Sequence, residues 1–438
     1  MTGRPPTERV RQAVGEEQRA EAPGARERIL DATFALLAEE GRDAADMKRI
    51  TEAAGVKASS VYWFFKDKDD VVLEAVGHGT LEWMRRKFPL PSAEGGLATA
   101  AFTLMRHLTD DFSERVDFWR IGLQMSLPRQ GGTVARRVVE MRERSGEEVA
   151  AWWSAAEPRL DGGTAAALAR LTMSAVGALL IARRADAGFP VRVEAERCGQ
   201  ALGELAGRLA GEPEELPAAA IAAAASSAAA ASVTAPRPES DETGSRERIL
   251  AAALAVLAEE GYRGATIARI TRRAQVSTSS VYWVCDNKED LVRQAVGEAA
   301  DGWYSTVPAF LPLADPAAWP GYLGTGFERY LMANLSAPDF VLAGLQLTLD
   351  EHRDGPTAGY TLYRAIHGTV RERTARWLRT TALAGDPDGE QRAGHLALWT
   401  HALMDETFTQ LAIARADSVP RRHVRMVVAL LEALATRR

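Results

Sequence analysis

The stretch RITEAAGVKASSVYWFF, residues 49–65, returns later in the chain as RITRRAQVSTSSVYWVC, residues 269–285. Both stretches contain the pentapeptide SSVYW, whose two occurrences lie 220 positions apart. When residues 26–77 are compared with residues 246–297, 29 of 52 positions are identical. A match of this extent indicates an internal duplication, which has to be recognised before an architecture can be predicted.

The similarity between the two copies continues beyond residues 77 and 297, and the numbering difference between matching residues grows slowly from 220. Gly122-Leu123-Gln124 matches Gly344-Leu345-Gln346, and IARRAD from Ile181 matches IARAD from Ile413. Each copy is therefore a whole protein rather than one unit of a solenoid. The predicted units are a disordered tail (1–24), a first head (25–78) with a first body (79–212), an Ala- and Pro-rich linker (213–245), and a second head (246–298) with a second body (299–438).

Composition excludes several classes of protein. The 438 residues have a formal net charge of −6, so any nucleic-acid surface must be local. The two cysteines, Cys198 and Cys285, exclude a disulfide framework and a cysteine-based zinc site, and they indicate a cytoplasmic protein. The segment Leu171–Ala182 is too short to span a membrane. No nucleophile–base set, phosphate loop or metal-ligand spacing occurs, so we expect neither an enzyme nor a cofactor.

The apolar residues of both copies follow a helical period. Ile29, Leu30 and Leu37 repeat at helical spacing. Gly41 and Gly261 stand where a glycine ends a helix, and Ser245 is a predicted N-cap. No alternating strand pattern occurs, and the sequence therefore predicts an all-α fold.

Two short helices separated by a tight turn follow in each head. In the first they are Asp46–Ala54 and Lys57–Phe65, with the break at Gly55-Val56. In the second they are Thr266–Ala274 and Ser277–Cys285. This order is typical of a helix-turn-helix motif.

The outward face of the second short helix has the chemistry of a DNA-reading surface. Once the apolar positions are assigned to the core, Ser59, Ser60, Tyr62 and Trp63 remain. Hydroxyls bond phosphates and base edges, and small residues let the helix approach a groove closely. The alternative is that SSVYW is a packing repeat, since aromatic pairs are common in cores.

RERILDATFALLAEEG, followed by RITEAAGVKASSVYWFFKDKDDVV, resembles the N-terminal domain of the TetR family of transcriptional regulators, and so does the copy at 246–297. The resemblance implies a three-helix DNA-binding domain followed by a helical ligand-binding and dimerisation domain. The predicted DNA-contact residues are Lys57, Ser59, Ser60, Tyr62, Trp63 and Lys68 in the first head, and Thr266, Ser277, Thr278, Ser279, Ser280, Tyr282, Trp283 and Lys288 in the second.

The two heads differ in charge. Asp46 stands where the second head has Thr266, and a carboxylate facing phosphate is repulsive. Residues 46–65 carry three basic and two acidic side chains, whereas 266–285 carry three basic and none acidic. We therefore expect the second head to bind DNA more strongly, through Arg269, Arg272 and Arg273.

The bodies are less informative. Aromatic and sulfur side chains that could line a ligand pocket are Trp119, Met125 and Trp152 in the first body, and Phe327, Tyr330 and Trp377 in the second. Core packing is the alternative for each of them. Helical bundles commonly hold ligands between their helices, so an unknown small-molecule effector is expected.

The resemblance implies pairing through two C-terminal helices per copy. The candidates are Thr164–Ala185 with Val193–Ala210, and Glu390–Ala416 with Arg421–Thr436. We expect the two copies to form an intramolecular pseudo-dimer that binds an imperfect palindrome in double-stranded DNA and acts as a repressor released by the effector. Two alternatives stay open: only the second head binds DNA and two chains associate, or the protein is a sensor or antagonist without DNA activity.

Overall fold

The structure is a computed structural model, and it describes residues 24–37, 45–110, 121, 133–211, 241–350, 355–414, 416 and 420–437. Within these ranges the regular elements are helices and no strand occurs, which confirms the all-α prediction. Nearly all of the predicted tail, most of the linker, and the pocket candidates Trp119 and Met125 lie outside the described residues.

The described helices of the first copy come in the order expected for a small head and a longer body. They are α1 (24–37), α2 (Met47–Ala54), α3 (Ala58–Phe64), α4 (Lys68–Lys87), α5 (Leu97–Thr109), α6 (Thr133–Ala156), α7 (Gly162–Ala185) and α8 (Val191–Gly211).

The second copy repeats this order. Its described helices are α9 (Asp241–Gly264), α10 (Ile267–Ala274), α11 (Thr278–Val284), α12 (Lys288–Tyr304), α13 (Trp319–Ser336), α14 (Asp339–Leu349), α15 (Ala358–Thr380), α16 (Gly389–Ile413) and α17 (Arg421–Thr436). The four helices α9–α12 correspond to α1–α4, and the last two helices of each copy also correspond.

The start of α9 differs from the prediction. The helix begins at Asp241, so Ser245 lies inside it and is not its N-cap. Near the other end, Gly261 has φ 71° and interrupts the helical geometry, at the residue where the sequence predicts the end of the helix.

Four helices join the two bodies. α7 packs against α8 in the first body, and α16 packs against α17 in the second. Across the junction α7 contacts both α16 and α17, and α8 contacts α17. Leucines from three of these helices are 0% exposed: Leu171 and Leu179 in α7, Leu403 in α16 and Leu430 in α17. Each of them contributes about 1.5–3 kcal/mol by burial, so the junction is part of the main core.

Among the described helices, one is long and apolar enough to cross a membrane, and it is α7. The helix has 24 residues, so the argument that this segment is too short is wrong. Of its most apolar window, 83% is buried inside the protein, against α8, α16 and α17. The hydropathy of α7 is therefore explained by its central place in the four-helix junction.

The end of α7 also reaches α14 of the other copy. The Arg184 guanidinium donates from Nη2 to the carbonyl oxygen of Asp350 at 2.8 Å, and from Nε to that of Thr348 at 3.3 Å. These carbonyls lie at the C-terminal end of α14, where a cation interacts favourably with the helix dipole. α14 packs in turn against α9 and α12 of the second head.

Candidate DNA-binding interface

The turn between the two short helices is closed in both heads by a residue with left-handed backbone geometry. Gly55 has φ 63° and ψ 36°, and Gln275 has φ 56° and ψ 44°. The following N–H group, of Val56 or Val276, donates to a carbonyl of the preceding helix at 3.1 Å. Glycine adopts this conformation without strain, whereas it costs a glutamine about 1 kcal/mol.

The inner face of each recognition helix, α3 or α11, anchors it to its head. Val61 and Val281 are 0% exposed, and they lie in the middle of the two helices. The residues that end the helices, Phe65 and Cys285, are also buried. Burial raises the pKa of the Cys285 thiol, which therefore packs as an apolar group and is a poor nucleophile.

The outer faces leave four aromatic side chains in solvent. Tyr62 is 60% exposed and Trp63 81%, while Tyr282 is 57% and Trp283 90% exposed. An intramolecular packing role is excluded for side chains with this exposure. Tyrosine and tryptophan combine an apolar ring with a hydrogen-bond donor, which suits them to a surface that a partner covers.

The small residues of the recognition helices stand at their first turn. Ser59, Thr278 and Ser279 are exposed, and Ser60 and Ser280 are half-buried. All five hydroxyls lie on the same short segments as the exposed aromatic rings. The structure therefore brings together, in each head, the hydroxyl and aromatic residues that the sequence singled out.

The recognition helices begin differently in the two heads. The Ser277 Oγ atom accepts the Ser280 N–H at 3.1 Å and caps α11. At the matching position Lys57 is exposed and its side chain makes no capping hydrogen bond. The second head thus has the better-capped helix, and the first head has a cation at the same point.

A second difference lies at the start of α2 and α10. Asp46 accepts the Arg49 N–H at 2.8 Å, and Thr266 accepts the Arg269 N–H through Oγ1 at 3.3 Å. Both residues are N-caps and both are exposed. A threonine hydroxyl keeps a proton that it can donate to a phosphate, whereas a carboxylate can only accept. This geometry supports the expected difference between the heads.

Lys68 and Lys288 are the first residues of α4 and α12. The Lys288 ammonium lies 4.2 Å from the centroid of the Tyr262 ring and 3.4 Å from the Arg263 carbonyl oxygen. A cation–π contact of this kind restricts the lysine side chain while its positive charge stays available to an anion.

Two of the three arginines assigned to the second head are partly neutralised, contrary to the simple charge count. Arg273 donates two hydrogen bonds to the Glu259 carboxylate, at 2.9 and 3.1 Å. Arg269 lies 3.7 Å from a Glu260 carboxylate oxygen. Arg272 is exposed and makes no ion pair with a described residue. The sequence count missed these acids because they lie on α9, outside the counted segment.

The pocket candidates fall into separate places. The Trp152 indole donates to the Pro91 carbonyl at 2.7 Å, and the Trp377 indole donates to the Leu311 carbonyl at 2.9 Å. Both tryptophans are nearly buried. Trp152 holds the segment before α5, and Trp377 holds the segment before α13. Phe327 is 1% exposed, in the core of the second body.

Tyr330, the remaining candidate, belongs to a buried polar group. Its hydroxyl donates to the Asp405 carboxyl at 3.2 Å, and burial raises the pKa of Asp405 to about 7. The His367 ring stacks on Trp303 at 4.4 Å and lies 4.2 Å from the Tyr363 ring. Burial lowers the pKa of His367 to about 3, and its Nε2 atom has no hydrogen-bond partner among the described residues.

Sequence reasoning missed this group because its members come from four different helices. One signal was present: Asp405 and Glu406 stand together within an otherwise apolar stretch of α16, between Met404 and Phe408. Adjacent acids on a face that must be buried indicate either a ligand or an ion pair.

Comparisons with known proteins agree with the geometry of the heads. Residues 29–75 and 249–295 each match the family described as "Bacterial regulatory proteins, tetR family". The HTH-type transcriptional regulator AcrR of Shigella flexneri is 32% identical over 83 residues, which are 17% of this chain and 38% of that protein. The matched part thus spans well under half of this curated relative.

A crystal structure of a transcriptional regulator from Rhodococcus sp. Rha1 is also similar. It has 18% sequence identity and a TM-score of 0.33, and the match covers 43% of this chain and 93% of that one.

Proposed function

We propose that this chain, which belongs to the tetR family of bacterial regulatory proteins and carries its DNA-binding domain twice, regulates transcription by binding one operator with both heads. The partner is double-stranded DNA and the place of action is the cytoplasm. The observation that carries the proposal is the pair of exposed faces, Tyr62 with Trp63 and Tyr282 with Trp283, each on the second helix of a helix-turn-helix.

Binding by one chain is supported by the four-helix junction. α7 and α8 lie against α16 and α17, as the subunits of a dimer would. A pseudo-dimer of this kind would present its recognition helices about one DNA turn apart, roughly 34–36 Å. Because the heads differ at Lys57/Ser277, Ala58/Thr278 and Asp46/Thr266, the operator would be an imperfect palindrome.

Selection of bound fragments from genomic DNA tests this proposal. We expect an enriched site with two unequal half-sites, bound by one chain of 47.4 kDa as measured by light scattering of the complex. Two chains on a site made of two identical half-sites would instead support binding by the second head alone. Failure to enrich any site would favour a sensor or antagonist without DNA activity.

The salt dependence provides an independent check. If about six phosphates are neutralised, log affinity falls against log salt with a slope near −5. Lys68→Ala and Lys288→Ala are each expected to reduce the slope by about 1, because each removes one phosphate contact. An affinity that does not change with salt would contradict DNA as the partner.

We further propose repression that a small molecule relieves by binding in the second body. The support is the buried group of Tyr330, Tyr363, His367 and Asp405, which combines aromatic rings with an acid and an unpaired ring nitrogen. Such a group suits a ligand that has an aromatic ring and a hydrogen-bond donor. Ligand binding there would shift the heads and weaken DNA affinity.

A screen for molecules that release the chain from its operator tests this part. Asp405→Asn keeps the size of the side chain but removes its charge, so it should abolish release without changing DNA affinity. Met173→Leu is the matched control in the first body, because Met173 corresponds to Asp405 when Ile181 is aligned with Ile413. An unchanged response in Asp405→Asn would remove this group from the proposal.

A further inference from the structure

The two sides of the four-helix junction can be compared position by position. Ile181-Ala182-Arg183 in α7 recurs in the sequence as Ile413-Ala414-Arg415, which starts at the last residue of α16, at an offset of 232. Ala201-Leu202 in α8 recurs as Ala429-Leu430 in α17, at an offset of 228. If the junction were symmetric, each contact made by one copy would have a mirror contact made by equivalent residues of the other.

One mirrored pair of contacts is present, but with opposite charges. Glu194 of α8 is 2% exposed, and its carboxylate is bonded to Nδ1 of His395 at 3.1 Å and to the Trp399 indole N–H at 2.8 Å. At the equivalent position α17 has Arg422, which donates to the Thr164 hydroxyl at 2.6 Å. His395 is equivalent to residue 163, next to Thr164, so the two contacts are mirror images.

The charge at these positions favours pairing with the opposite copy over pairing with a copy of the same body. Asp161 caps α7 next to Thr164, and its carboxylate is near Arg422. In a pair of two first bodies, Glu194 would keep its ion pair with Arg197 of α8 at 3.0 Å, but it would meet the Asp161 carboxylate and lose its hydrogen bonds to His395 and Trp399. In a pair of two second bodies, the Arg422 guanidinium would face the Trp399 N–H, which is also a donor. A buried charge that meets a like charge or loses its hydrogen bonds is destabilising.

A second mirrored pair differs in shape. A Cβ atom at Gly177 of α7 would lie 2.4 Å from Cδ of Glu406. The buried Glu406 carboxylate occupies that space and is held there by Arg142 and by the Gln410 amide at 3.1 Å. At the equivalent of Gly177, α16 has Thr409.

The space left by the missing side chain of Gly177 therefore accepts Glu406 when a first body pairs with a second body, and no equivalent space exists at Thr409. If two second bodies paired, Glu406 of each would meet the β-branched Thr409 of the other. Arg142 belongs to the first copy and would be absent, so two carboxylates would be buried without a cation. Steric overlap and unpaired charge both oppose this arrangement.

We propose that the two pairing surfaces recognise only each other: α7 and α8 of the first body accept α16 and α17 of a second body, and neither surface pairs with a copy of itself. The proposal rests on the single-chain pairing proposed above, but it does not depend on DNA. It assigns the specificity to Glu194 and Arg422 and to the packing of the Glu406 carboxylate against Gly177.

The test uses the full chain with a protease site inserted between residues 217 and 240, cut only after folding. Native mass spectrometry of the cut protein is expected to show a one-to-one complex of the two fragments near 47.4 kDa. This complex should remain the main species after the cut protein has been incubated for days, during which fragments can exchange partners. Pairs made of two identical fragments in comparable amounts would overturn the proposal. Dissociation into single fragments at micromolar concentration would overturn it as well.

Substitutions in the uncut chain test the assigned residues. Gly177→Thr copies the residue of the other copy and is expected to lower Tm by about 5 °C, because the new side chain displaces Glu406. Glu406→Ser, the residue at the matching position of α7, should restore most of this loss when combined with Gly177→Thr. An unchanged Tm in Gly177→Thr, or no rescue in the double variant, would contradict the assignment.

DNA binding of the same uncut proteins separates the two proposals. If the uncut chain binds no DNA but its two fragments form a one-to-one complex after cleavage, the result would count against the proposed regulator alone. Pairs of identical fragments from a protein that binds its operator would count against the pairing specificity alone.

Discussion

The two heads of this protein share an identical exposed pentapeptide, whereas the two bodies differ at positions that are buried in the second of them. SSVYW is identical in both heads. In the bodies, His401 stands where the first copy has Ala169, and His423 stands where it has Ala195. The exposed pentapeptide and the buried interior of the bodies therefore diverged to different extents, so the two heads should resemble each other more in function than the two bodies do.

The largest expected effect follows from the buried histidines of the second body. Burial lowers the pKa of His367 to about 3 and that of His401 and His423 to about 4. Between about pH 6.5 and 4 these groups bind more protons unfolded than folded, so the free energy of unfolding falls as the pH falls. Asp405, whose pKa is raised to about 7, opposes this trend. We expect a net loss of about 1–2 kcal/mol per pH unit in the second body.

Hydrogen exchange followed by mass spectrometry resolves the two bodies and measures this loss. Protection should fall in α16 and α17 at a higher pH than in α7 and α8. His401→Ala introduces the residue of the first copy and should reduce the slope by about 1 kcal/mol per pH unit. Equal slopes in both bodies would remove the proposed difference between their interiors.

Removal of one exposed indole should have the next largest effect, on DNA binding. Trp283→Ala is expected to weaken operator binding by about 30-fold, which corresponds to about 2 kcal/mol. Trp63→Ala should have a smaller effect, because the Asp46 carboxylate is expected to weaken DNA binding by the first head. Trp283→Phe keeps an aromatic face and serves as the control in a gel-shift titration. A larger loss from Trp63→Ala would reverse the order of the heads.

Exchange of the turn residues should change stability by about 1 kcal/mol in opposite directions. Gln275→Gly relieves the left-handed strain in the second head and should stabilise it. Gly55→Gln introduces the same strain in the first head and should destabilise it. Urea unfolding with hydrogen exchange in α2 and α10 measures both changes. Shifts of the same sign would show that the turns are not equivalent.

Exchange of the caps of the recognition helices is expected to have the smallest effect. Ser277→Ala removes the hydrogen bond to the Ser280 N–H and should cost about 0.5–1 kcal/mol of local stability. Lys57→Ser should add a cap to α3 but remove a cation, so the first head would become more stable and bind DNA less tightly. Faster exchange in α3 after Lys57→Ser would contradict the capping argument.

The turns and short helices of the heads could be predicted from sequence because their signals are local, whereas the start of α9 could not. Asp46 and Thr266 are helix caps, and the αL turn follows each helix within nine residues. The packing of the Glu406 carboxylate against Gly177 could not be predicted, since it joins helices from the two copies. The ion pairs of Arg269 and Arg273 were missed because their partners, although in the same copy, lie on a different helix.

The hydrogen bonds from Arg184 to the end of α14 have one more consequence. α7 belongs to the first copy, while α14 supports the helices of the second head. The first body is thus connected through α14 to α9 and α12, and a shift of α7 along its axis would displace two helices that support the second head.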